Sequence, residues 1–266
     1  MLLIHGNSSC RAVFRHQLQG PLAENHRLIA FDLPGHGQSG NAPDPTRNYT
    51  LPALADAAVE LLEKLGVTEA IVFGWSLGGH IGVEMVPRFS GMRGLMITGA
   101  PPVGRNNMAQ GFNSSPQTGA AGKQDLSEAD IEAFVQAIFG DSAEPFLREA
   151  VARADSRFRK RLFEAARAGE GVDQRLIVES SPVPLAVVNG GAIASSNSIT
   201  SIPSPMPICG KGTVIVWLGW GTRRSGKRRA TSILFSNAFC RMSKPVERRL
   251  TRCELSMDCR ILRGCV

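Results

Sequence analysis

The sequence predicts an α/β fold: a mostly parallel sheet flanked by helices, with a small helical cap and an irregular tail. Three observations predict it. Short apolar runs alternate with amphipathic helical stretches over the first hundred or so residues, the pattern of strands joined by crossover helices. A glycine-flanked serine, Gly74-Trp75-Ser76-Leu77-Gly78, stands between one such strand and the helix after it. Beyond residue 102 the alternation gives way to helical pattern, and one more apolar strand follows.

The chain opens with Met1-Leu2-Leu3-Ile4, a short buried-strand run, and then His5-Gly6-Asn7-Ser8-Ser9. Residues 27–32 form a second apolar run ending in Leu33-Pro34-Gly35-His36-Gly37-Gln38-Ser39. Thr50 can cap a helix over residues 51–65, with Leu54, Ala57, Ala58, Leu61, Leu62 and Leu65 on one face and Gly66 closing it. Strand 70–73 leads into the serine turn, and a helix runs from Leu77 toward Val86. Strand 94–98 ends at Gly99-Ala100-Pro101-Pro102. In such sheets functional groups gather at the carboxyl ends of the strands.

Residues 105–123, rich in Gly, Asn, Ser and Gln, read as a mobile loop. Ser127-Glu128-Ala129-Asp130 has the form of a capping box with Asp in place of Glu, and starts a helix bearing Ile131, Phe134, Val135 and Ile138; Gly140 ends it. A second helix is expected over residues 145–168, with Phe146, Leu147, Ala150, Val151, Ala154, Phe158 and Leu162 in register. Residues 182–190 complete the sheet. The organisation expected is a core over 1–102, a cap over 103–178, a last core strand over 179–190 and a basic tail over 191–266.

A serine at a tight strand-to-helix corner has its hydroxyl pushed out of the sheet, with the next residue's N–H aimed at the same space. Ser76 is therefore the candidate nucleophile. The backbone N–H groups of Leu77 and of Asn7, in the His-Gly turn, are the candidate oxyanion donors. The His-Gly turn, the D-x-P-G-H-G-x-S turn at residues 32–39 and the G-x-S-x-G elbow occur in the order and at the spacing of the α/β-hydrolase family, which residues 1 to about 190 resemble. The resemblance implies serine attack on the carbonyl of a small ester-like substrate, with no cofactor and no metal. It also implies a cap that carries selectivity, so that Phe134, Ile138, Phe146 and Phe158 either line a pocket or pack the cap onto itself. Family members use the same parts on thioesters, amides and C–C bonds or for acyl transfer; a serine at the elbow argues against the dehalogenase and epoxide-hydrolase branches. Three histidines near these motifs read as structural: His5 bracing its turn, His36 packing its loop, and His80 buried on the helix that runs back beneath the sheet.

The proton-transfer groups are missing. A serine needs a base oriented by a carboxylate, and in this family the acid and then the histidine follow the serine. The five histidines are His5, His16, His26, His36 and His80, and no Asp or Glu lies between Glu179 and Glu247. Composition changes at the same place. Residues 191–266 carry 13 of the 30 Lys and Arg, three acids and five of the six cysteines, so the formal charge of +7 belongs to the tail. A basic tail could bind nucleic acid or an acidic surface, and five cysteines could suggest metal or disulfides, but they form no C-x-x-C pair and have no histidine partner. A third reading is a frameshift. Shifting by one base, the codons for residues 218–230 permit L-G-H-A-P-F-W-E-A-P, similar to the family's histidine segment, and the junction of Ala192 with Ile193 permits Asp. The expectation is an impaired hydrolase whose tail is out of frame and poorly ordered. Met1 lies within a strand that two others precede in the family, which implies missing first strands. With no signal peptide and no apolar stretch of membrane length, the expected location is cytoplasmic.

Overall fold

A computed structural model describes residues 1–105, 120–188 and 214–217. Six strands form one sheet: β1 (Leu2–Ile4), β2 (Ile29–Ala30), β3 (Ala70–Trp75), β4 (Met92–Thr98), β5 (Leu185–Val188) and β6 (Val214–Trp217), in the order β2-β1-β3-β4-β5-β6. All five pairings are parallel. The inner strands are covered on both faces, which is why they read as unbroken apolar runs rather than alternating ones: Leu2, Leu3 and Ile4 are all fully buried. Ile4 pairs with Gly74, so β1 and β3 end level. That register sets the His5-Gly6 turn beside Trp75 and Ser76.

The crossovers carry α1 (Arg15–Leu18), α2 (Pro21–Asn25), α3 (Pro45–Asn48), α4 (Leu51–Lys64) and α5 (Leu77–Met85). Thr50 caps α4 as expected, its Oγ1 accepting the Ala53 N–H at 3.2 Å. The buried stripe of α4 is Leu54, Ala55, Ala58 and Leu62, a slight rotation from the expected face, and Leu65 is 40% exposed. All nine residues of α5 are buried. Strand β2 keeps only two residues of the expected six, Ile29–Ala30; Asp32 instead accepts the Arg11 and Gln38 N–H groups.

Between β4 and β5 lie α6 (Glu128–Phe139), α7 (Pro145–Arg153), α8 (Ser156–Arg167) and α9 (Gln174–Ser180). The capping box closes in both directions: Asp130 N–H donates to Ser127 Oγ at 3.2 Å, and Ser127 N–H donates to Asp130 Oδ2 at 2.9 Å. The single helix expected over 145–168 is two helices. The chain leaves helical geometry at Ala154, φ −55° and ψ 133°, and Asp155 then caps α8. Asp155 N–H donates to Gly35 O at 2.8 Å, and its carboxylate accepts the Tyr49 hydroxyl at 2.7 Å and the Arg157 N–H at 3.1 Å. Asp gains more from these partners than from a helix interior, where it is a poor former.

That break divides the cap. Phe158 of α8 joins the main core, fully buried against His36 (ring centroids 4.4 Å apart) and Tyr49 (4.8 Å). Phe134 and Val135 of α6 form a separate cluster with Leu147 and Val151 of α7. Within the tail expected to be irregular, Val214–Trp217 pair in register with Leu185–Val188; Val-Ile-Val-Trp is a run of strong strand formers. The rest of 191–266, including residues 218–230 where the frameshift reading places a histidine segment, and residues 106–119 of the expected loop lie outside the described residues. No helix among the described residues is long and apolar enough to cross a membrane.

Candidate active site

Strand β3 runs straight into the turn. Ser76 has φ 54° and ψ −119°, a conformation that costs a non-glycine residue about 1–3 kcal/mol and persists only where its surroundings enforce it. They do. Ser76 N–H donates to Thr98 O at 2.8 Å, and Gly79 N–H donates to Ser76 O at 2.8 Å. The helix then starts so close to the sheet that only glycine fits. A Cβ on Gly78 would lie 2.0 Å from Ile4 O, and one on Gly74 would lie 2.2 Å from Gly78 O. Leu77 is the first residue of α5, so its N–H is one of those left without an acceptor inside the helix, at the end where the dipole favours negative charge.

The His-Gly turn packs directly on this corner. A Cβ on Gly6 would sit 3.2 Å from Ser76 Cβ and 3.0 Å from Trp75 Cζ3. Its shape is fixed by two histidines. His5 Nε2 accepts the Leu33 N–H at 3.0 Å, so Nδ1 carries the proton and donates to Gly6 O at 2.8 Å. His36 Nε2 accepts the Ser8 N–H at 3.1 Å, and its Nδ1–H faces Pro34 O at 3.1 Å. Burial pushes His5 down to about 4 and His36 down to about 3, with the neighbouring His5 adding to the latter. Both rings are neutral near pH 7 and both nitrogens of each are committed to backbone. Ser8, at φ 54°, is the second non-glycine residue with positive φ among those described. Asn7 Nδ2 donates to Ala121 O at 3.0 Å, which commits its side chain to the cap.

His80 lies on α5, one turn past Ser76. Its Nδ1 is 2.8 Å from Gln174 Oε1, and Gln174 Oε1 also accepts the Val103 N–H at 3.5 Å. This pair ties α5 to α9 in the interior, and burial lowers the His80 pKa.

Of the four residues expected either to line a pocket or to pack the cap onto itself, Phe134 and Phe158 are buried in packing and Ile138 is 41% exposed. Phe146 sits under the Arg15 guanidinium, 5.0 Å from its ring centroid, while Arg15 ion-pairs with Glu144. The aromatic that reaches the nucleophile corner is Phe139, whose ring lies 5.6 Å from that of Trp75. Sequence reasoning passed over it, although it ends the same helical stripe as Ile131 and Val135. It also missed Arg159, 3% exposed inside the run Arg157-Phe158-Arg159-Lys160-Arg161, where nothing in composition separates one buried cation from its solvated neighbours.

A family model described as "alpha/beta hydrolase fold" matches residues 1–180. The structure is similar to that of a point mutant of the N-acyl homoserine lactonase AidH in complex with N-hexanoyl homoserine, with 40% identity, a TM-score of 0.82, and coverage of 94% of this chain and 90% of that one. Among curated proteins, the magnesium-chelatase 30 kDa subunit of Rhodobacter capsulatus is 34% identical over 126 residues, 44% of this chain and 43% of its own length. The pimeloyl-[acyl-carrier protein] methyl ester esterase of Xylella fastidiosa is 31% identical over 102 residues, 38% of this chain and 36% of its own. The chain thus spans less than half the length of these two curated relatives. The elbow at Ser76, the parallel sheet that presents it and the match over residues 1–180 lead to one conclusion: the chain belongs to the α/β-hydrolase fold family.

Proposed function

We propose that residues 1–190 carry the nucleophile and oxyanion hole of a serine acyl hydrolase acting on a small acyl lactone or ester. Ser76 attacks the carbonyl carbon, and the backbone N–H groups of Asn7 and Leu77 receive the charge that develops on oxygen. The observation that carries this reading is the Ser76 backbone, φ 54° and ψ −119°, with the Gly6 turn packed against its Cβ. Strain of this kind at a half-buried corner serves catalysis better than it serves folding. Acyl lactones are favoured among substrates because the similar protein named an N-acyl homoserine lactonase aligns over 94% of this chain at 40% identity.

The chain as written is impaired in turnover. His5 and His36 are locked by backbone partners and His80 faces Gln174, while no histidine follows residue 80 and no acid lies between 179 and 247. A shift of reading frame near residue 190 accounts for both losses. The test compares the chain as written with one whose codons from 191 onward are read in the shifted frame. Hydrolysis of N-hexanoyl homoserine lactone is expected to be slow in the first and fast in the second, and to vanish with Ser76→Ala. Normal turnover by the chain as written would show that another base has been recruited. A folded, shifted-frame chain that cleaves p-nitrophenyl butyrate and leaves the lactone intact would replace lactone with ester as substrate.

A further inference from the structure

We infer that Arg159, on cap helix α8, is a positioning residue for the oxyanion hole. This rests on the reading of Asn7 and Leu77 as oxyanion donors. The Arg159 guanidinium is buried, and its three hydrogen bonds all go to neutral oxygens: Nη1 to Ser8 Oγ at 3.0 Å, Nε to Lys123 O at 2.9 Å and Nη2 to Gln124 O at 3.0 Å. Burial works against its charge, which Asp125 and Asp155 favour only through space, with no ion pair to it among the described residues, so a guanidinium is a costly way to hold a cap in place. What the guanidinium does that an apolar residue does not is grip Ser8.

Ser8 is the residue that ends the oxyanion turn. It is held at φ 54° by its N–H to His36 and by its hydroxyl, which accepts from Arg159 and donates to Asn7 Oδ1 at 3.2 Å. Asn7 in turn donates from Nδ2 to Ala121 O, on the same cap segment whose Lys123 and Gln124 carbonyls Arg159 holds. The Asn7 peptide is thus clamped between the core, through His36, and the cap, through Arg159 and Ala121. Oxyanion donors are effective only when fixed in advance at the place where charge develops, and a small displacement of the Asn7 N–H weakens the hole while leaving Ser76 in place. Helix α8 is rigid enough to serve as the anchor, because Asp155 and Phe158 at its start are built into the core.

The test uses two readouts on the full chain. The first is the affinity for n-butylboronic acid, which forms a tetrahedral adduct on a serine hydroxyl and places a boronate oxygen in the oxyanion hole; Ser76→Ala serves as the control. The second is hydrogen exchange at the Ser8 amide. Arg159→Met is expected to weaken boronate binding about tenfold and to speed Ser8 exchange at least tenfold, with Arg159→Lys restoring part of both. Ser8→Ala, a milder change, is expected to weaken boronate binding in the same direction. The double variant should be no worse than Arg159→Met alone, because the two act through one hydrogen bond. If Arg159→Met does not fold, Ser8→Ala carries the test. A folded Arg159→Met with boronate affinity within twofold of the parent and unchanged Ser8 exchange overturns the proposal, as do fully additive effects. If the parent binds boronate no better than Ser76→Ala, the nucleophile reading falls, and Ser8 exchange alone decides whether Arg159 holds the turn.

Discussion

Acid should unfold this protein from well above the carboxylate range, because two buried imidazoles must stay neutral for the His-Gly turn to form. An unfolded histidine titrates near 6.5, whereas His5 is held at about 4 and His36 at about 3. Below pH 6.5 the unfolded chain binds protons that the folded chain refuses, so stability is full above that pH and falls as acid is added toward each folded value. Between pH 7.5 and pH 5.0 each ring contributes a loss of about 2 kcal/mol, about 4 kcal/mol for the pair, and His80 acts in the same direction. Two carboxylates titrate separately: Asp130 and Asp155 are held at about 2 by hydrogen bonds to cations, so their contributions fade only below about pH 4, while burial raises Glu84, which opposes the histidines as acid is added. Urea unfolding at both pH values measures the difference, and His36→Asn should remove about half of it whatever it does to stability at pH 7.5. Equal stability at pH 7.5 and 5.0, or imidazole resonances of His5 and His36 titrating near 6.5 in the folded chain, would refute the assignment of both rings as buried neutral braces.

Other expectations concern the elbow and the cap junction. Ser76→Gly should raise the midpoint of urea unfolding, because it relieves about 1–3 kcal/mol of backbone strain at the position with φ 54°; it should also abolish acylation. Gly78→Ala should destabilise by about 3 kcal/mol or more, or prevent folding, since its Cβ would meet the Ile4 carbonyl at 2.0 Å and backbone there has no room to yield. Asp155→Asn should lower stability by about 1–3 kcal/mol at pH 7, as judged by thermal unfolding, since the Arg157 guanidinium loses its anionic partner and the buried Tyr49 hydroxyl a charged acceptor.

What could be read from the sequence was whatever repeats locally. The elbow declares itself because Gly74 answers the Gly78 carbonyl four residues on and the G-x-S-x-G spacing is itself local, although Gly78 answers the distant Ile4 carbonyl; the capping box at Ser127 closes within three residues. Strand β3 and helix α4 follow from apolar spacing alone. Features set by distant contacts stayed hidden. The helix break at Ala154 depends on Asp155 meeting Tyr49 and Gly35, more than a hundred residues away, while the local pattern of Phe146, Leu147, Ala150, Val151 and Ala154 continues without interruption. Phe158 and Phe134 look alike on a helical stripe, and only the fold sends one into the main core and the other into the cap cluster. Arg159 was illegible for the same reason: its acceptors Ser8, Lys123 and Gln124 converge only in three dimensions. The roles of His5 and His36 were legible in kind, as braces, but which backbone groups they brace required the register of β1 against β3.

Ser76 is proposed as a nucleophile held ready in a chain whose histidines are all engaged elsewhere or precede residue 81. Peptide mass spectrometry after prolonged incubation with a p-nitrophenyl alkylphosphonate tests this most directly. A phosphonate adduct is expected on the peptide carrying Ser76 and on no other serine, formed slowly and lost in Ser76→Ala. An adduct on Ser8 or Ser9 in its place, or a folded chain that stays unmodified at Ser76, would contradict it.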